Sequence, residues 1–194
     1  MFNLFKKRPK ISCPTEKQPD QQDQIQMIKQ FIRHTFEVAR NASPIFCQNI
    51  QMTTDSKVGF PVDEDSCFII FGALLGTSLA VLNGYSKVVS PERGAEISSM
   101  LKKILQTHNH IPPEHAKEMI ASIDEYKDAF QRGMNSSGNP FGEVSGILLT
   151  QCMGNNLKDI CLSGTDVINP FTHQTFGDLF MMTVMQVISF WEGK

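Results

Sequence analysis

No two cysteines in this chain stand at C-x-x-C spacing, and the five that occur, Cys13, Cys47, Cys67, Cys152 and Cys161, are scattered and odd in number. That pattern argues against a disulfide framework and suits reduced thiols, so a cytoplasmic location is expected. No apolar run preceded by positive charge opens the chain, and no secretory leader is expected. Phosphate-binding loop, dinucleotide fingerprint, kinase motifs and EF-hand loop are all missing, which leaves no cofactor to expect. A self-similar period is missing too, and with it the solenoid architectures. Positive charge is scarce outside the N-terminus. Residues 1–20 hold five Lys/Arg against two Asp/Glu, a net +3, whereas the remainder holds thirteen against eighteen, a net −5. A body of that sign repels nucleic acid, and no basic helix face with interleaved aromatics overrides the repulsion, so no nucleic-acid partner is expected.

What is present suits one domain of full size. The 194 residues, 41% hydrophobic and 20% charged, can bury a core without disulfides or metal. The stretch Ser66 to Ser86 carries no charge, and Gly72, Gly76, Ala80 and Gly84 recur on it at every fourth position. Small side chains at that spacing form a stripe where another helix can approach backbone to backbone. Length and small-residue spacing also suit a membrane span. Thr77, Ser78, Asn83 and Ser86 inside the run, and the acidic flank Asp63, Glu64, Asp65, favour a buried central helix with carboxylates at its N-terminus.

Apolar periodicity places the other helices around it. From Gln21, with Asp20 as N-cap, Ile25, Ile28, Ile32, Phe36 and Ala39 share a stripe, with Phe31 beside it. Ser43-Pro44 then stops this helix and starts a short second one. Residues 53–63 lack a helical period and form a loop. Ser90-Pro91 opens a helix with Ile97, Met100, Leu101, Ile104 and Leu105 on one face. A further helix from Pro113 to Arg132 buries Ala116, Met119, Ile120, Ile123, Tyr126 and Phe130, with Gly133 as its C-cap. Asn139-Pro140 opens the next, marked by Phe141, Val144, Ile147, Leu148 and Cys152. Residues 154–170 read as loop with one turn of helix, and Thr175 with Asp178 resembles a capping box ahead of a helix at 176–191. The expected fold is an all-α, single-domain bundle of about five to seven helices spanning 21–194 around the apolar central helix, preceded by a flexible basic tail, 1–20.

Three constellations could carry chemistry. His108, His110 and His115, with Glu118, gather at one helix junction, and imidazole with carboxylate at such spacing can hold Zn²⁺ or a similar ion. The junction lacks the HExxH order, so a metal-dependent enzyme is the alternative rather than the leading function. Gly76-Thr77-Ser78-Leu79-Ala80 approximates a nucleophile elbow followed by Asp159 or Asp166 and then His173, but no alternation of strands and helices accompanies it. Ser78 reads instead as a small helical residue whose hydroxyl bonds a carbonyl one turn back. The third is Phe180, Met181, Met182, Met185 and Trp191, a soft, aromatic C-terminal helix of the kind that adapts to varied partners. The leading expectation is therefore a non-enzymatic protein-binding module, an adaptor, chaperone-like or inhibitory protein, with another protein or a second copy as partner. Phe2, Leu4 and Phe5 ahead of Lys6, Lys7 and Arg8 form a short amphipathic segment suited to weak, reversible contact with an anionic membrane.

Overall fold

The computed structural model describes residues 21–54, 59–84, 90–107 and 113–192. These form six α-helices: α1 (Gln21–Thr54), α2 (Glu64–Gly84), α3 (Pro91–Thr107), α4 (Pro113–Ser136), α5 (Pro140–Met153) and α6 (Pro170–Ile188). Short 3-10 segments, Gly154–Ile160 and Ser189–Glu192, follow α5 and α6. The protein is an all-α, single-domain bundle.

α2 is the centre because it has no side to turn to water: every residue from Ile70 to Leu82 is buried. Each of the other five α-helices packs against it. By length and composition it could cross a membrane, yet here its apolar surface is covered by protein, with 72% of its most apolar window buried. Asp63 caps it: its Oδ1 accepts from the Ser66 amide at 2.9 Å, while Ser66 Oγ accepts from the Asp63 amide at 3.2 Å. This reciprocal bonding at three-residue spacing satisfies donors that a helix start leaves free.

The small-residue stripe brings α4 against α2. A methyl group added at Gly72 would meet Ser122 Oγ at 2.8 Å, and one at Gly76 would meet the Ile123 carbonyl oxygen at 2.5 Å. At Gly76 only hydrogen permits the crossing, because the opposing carbonyl is backbone, whereas the Ser122 hydroxyl opposite Gly72 can rotate aside. The start of α3 docks the same way, since a methyl at Gly94 would lie 2.6 Å from the Leu82 carbonyl oxygen. Lys102 on α3 then donates to both carboxylate oxygens of Asp124 on α4, at 2.6 and 2.7 Å.

Three sequence expectations about helix ends are corrected. Pro44 does not stop α1, which runs on to Thr54. An interior proline costs about 3 kcal/mol, but burying Phe46 and Ile50 beyond it returns about 1.5–3 kcal/mol each. Both are fully buried, Phe46 against Phe176 and Phe180 of α6. Pro44 and Arg40 are exposed, so water reaches the turn that lacks its amide donor. Gly133 does not end α4: it lies inside the helix, where a methyl would strike Pro140 Cα at 2.5 Å, and its absence lets α5 begin directly alongside. α6 starts at Pro170, not at 176. Asn169 is its cap, accepting from the Phe171 amide at 2.9 Å, and the Thr175 hydroxyl donates to the Phe171 carbonyl instead of capping. Within 154–170 the chain makes a 3-10 segment and an antiparallel bridge between Cys161 and Ile168, turning through Gly164 at φ 76°.

The stripe on α1 is also rotated from the expected one. Ile28, Phe31, Thr35, Val38, Ala39 and Ala42 face the core, while Ile32 and Phe36 are only half-buried. Asp20, expected as a cap, and the basic tail 1–20 lie outside the described residues.

Candidate functional site

Two surfaces are built from apolar side chains that the core leaves uncovered. The first is the outer face of α6. Phe180 belongs to the core, fully buried against Phe46. Trp191 is half-buried, its ring 5.0 Å from Phe31 and 5.4 Å from Phe190, where it closes the end of the α1–α6 pair. The three methionines point outward: Met181 is 38% exposed, Met182 67% and Met185 54%. Phe171, which the sequence reading left out of the partner face, is 61% exposed on the same helix.

These positions share one stripe. Phe171, Gln174, Asp178, Met181, Met182 and Met185 are all exposed and, with Met181 and Met182 side by side, recur at three- and four-residue steps, the spacing by which one helix lays a seam against another. The whole of α6 carries no Lys, Arg or Glu, and Asp178 is its only carboxylate. Depletion of charge with enrichment of methionine and aromatics separates interface cores from ordinary surface.

The second surface is a groove of about 510 Å³ where α1, α2, α3 and α4 meet. Ile32 and Phe36 of α1, Phe68 and Phe71 of α2, Ile104 and Leu105 of α3 and Met119 of α4 form its apolar walls. Phe36 packs on Phe68 and on Phe71 with ring centres 5.6 Å apart in each pair. Among the described residues every polar side chain lining the groove, Gln26, Lys29, Gln30 and Arg33, comes from the single face of α1 that forms one lip.

The hydrolase-like constellation does not assemble. Ser78 is fully buried in α2, and its hydroxyl has no hydrogen-bond partner among the described residues, so it does not bond back along the helix either. Asp159 and Asp166 are exposed, whereas His173 uses Nε2 to hold the Gly142 carbonyl at 2.9 Å, a strut between α5 and α6. His108 and His110 lie outside the described residues, as does the side chain of His115. Glu118 is exposed on α4. Among the described residues no three His, Cys, Asp or Glu side chains are grouped to hold a metal ion. Burial pushes up the thiols of Cys47, Cys67 and Cys152, the last to about 12, which keeps them protonated and poorly nucleophilic.

What the geometry defines is a class, a helical bundle with an apolar helix face and a polar-lipped groove. Comparison of the chain with protein-family models, with curated proteins and with solved structures gives no match in any of the three.

Proposed function

We propose that the chain is a non-enzymatic protein-binding module, an adaptor, chaperone-like or inhibitory protein, that receives an apolar helix on the outer face of α6. One observation carries this reading: Phe171, Met181, Met182 and Met185 stand exposed on one stripe of a helix that bears a single carboxylate. A face of that composition loses little by leaving water, because few charged groups must be desolvated. Unbranched methionines repack against helices of different shape, which suits an adaptor more than a lock fitted to one ligand. The partner helix belongs to another protein or to a second copy of this chain.

Size-exclusion chromatography with light scattering, on the wild type and on Met182→Asp/Met185→Asp, tests the reading. Both side chains are largely exposed, so the substitutions should leave folding intact. Burial of each methionine in an interface is worth about 1.5–3 kcal/mol, so the double change should weaken association with itself or with a captured partner by at least about a hundredfold. Association that survives both aspartates would overturn the assignment of this face.

A further inference from the structure

We propose that the groove between α1, α2, α3 and α4 binds a long-chain carboxylate, with the anionic head on the α1 lip and the alkyl tail along the aromatic wall. The site is separate from the outer face of α6 and does not depend on it. Its walls are apolar side chains, of which Phe71 and Leu105 are buried and the others are left partly uncovered. Ile32, Phe36, Ile104 and Met119 are only half-buried, and Phe68 is 41% exposed in spite of its packing on Phe36. Apolar residues from four helices thus converge on a space that no described side chain fills. Its volume lies within the roughly 300–1,000 Å³ of small-molecule sites.

The distribution of polarity selects the ligand. Lys29 and Arg33 stand four residues apart on α1, one turn from each other, with the Gln26 and Gln30 amides on the same face. Among the described residues neither cation forms an ion pair and no carboxylate lines the groove, although residues 21–194 carry a net −5. Charge of one sign at one lip and none along the other walls fits a molecule with the same division, an anionic head joined to an apolar tail. Arginine and lysine donate charge-assisted hydrogen bonds to a carboxylate, and the glutamines supply further donors beside them. An uncharged lipid would leave both cations unused, and a cationic one would be repelled.

Isothermal titration calorimetry of the full-length chain with dodecanoate, below its micelle concentration, tests this, with 1-dodecanol and dodecyltrimethylammonium as head-group controls. Binding of dodecanoate is expected at one per chain, strengthening several-fold as the tail is lengthened from decanoate and weakening as salt is raised. Dodecanol should bind at least about tenfold more weakly and the cation not at all. Lys29→Glu/Arg33→Glu changes two exposed side chains, so its circular dichroism should match the wild type while dodecanoate affinity falls at least about tenfold. Phe68→Asp, also at an exposed position, should give the same loss from the other wall. The proposal is overturned by no binding, by equal affinity for the alcohol, or by binding that both variants retain. Binding that emerges only when residues 1–20 are deleted would overturn it as well, since the chain's own tail would then be the occupant, and so would binding only by an acidic amphipathic peptide.

Discussion

Replacing Gly76 by alanine should destabilise the protein even though alanine is the better helix former. In the interior of α2 the exchange gains about 1 kcal/mol of helix propensity. Against this, the new methyl would lie 2.5 Å from the Ile123 carbonyl oxygen and 2.9 Å from Tyr126 Cβ. Both atoms belong to the α4 backbone or its first side-chain carbon, so neither can swing aside and the helices must separate. Overpacking of this kind costs about 3 kcal/mol at the upper end of its usual range, which leaves a net loss of about 2 kcal/mol. For a domain of this length that is a fall in Tm of about 4–8 °C. Gly146→Ala is the matched control. It also sits inside a helix, but its methyl would meet only His173 Nε2 at 3.4 Å, an ordinary contact, so propensity should win and Tm should rise by about 1–4 °C. Thermal melts followed by circular dichroism decide the matter. Equal or greater stability of Gly76→Ala would refute the claim that α2 and α4 touch backbone to backbone.

Three further outcomes follow from the same packing. Tyr126 is fully buried and its hydroxyl donates to Gln151 Oε1 at 2.6 Å, so Tyr126→Phe should cost about 1 kcal/mol in urea unfolding with the m-value unchanged. Asn169→Ala removes the side-chain acceptor for the Phe171 amide and should cost about 1 kcal/mol by the same assay, whereas Asn169→Asp should cost less because it keeps the acceptor. Burial raises the Cys152 thiol from 9.0 to about 12 and raises the Tyr126 phenol too. Groups that hold their protons more tightly when folded add stability below their ordinary pKa and lose it as pH rises through the folded value. The urea midpoint should therefore drop progressively between pH 9.0 and about 12, and less steeply in Cys152→Ala; a flat midpoint across that window would contradict the burial of both groups.

Sequence alone determined the class of fold and its centre. An uncharged run with small residues every fourth position can satisfy its backbone only as a helix and its side chains only by being surrounded, and α2 is so placed. The Ser90-Pro91 and Asn139-Pro140 pairs set the starts of α3 and α5 through local bonds, Ser90 Oγ to the Arg93 amide and Asn139 Oδ1 to the Gly142 amide. Asn169-Pro170 carries the same signal at the start of α6, where Asn169 Oδ1 accepts from the Phe171 amide. Tertiary structure decided the rest. Pro44 stays inside α1 because burying Phe46, against α6, and Ile50 gains more than the missing hydrogen bond costs, and no local pattern contains that balance. Periodicity marked Phe180 and Met182 alike as apolar, and it marked Ile32 and Ile28 alike. Which of each pair is buried depends on the angle at which neighbouring helices cross, and that angle is set by contacts such as Gly76 on Ile123, far apart in the chain. The exposed stripe of α6 and the groove beneath Lys29 and Arg33 are what those crossing angles leave uncovered, because a helix is wider than any single neighbour can cover.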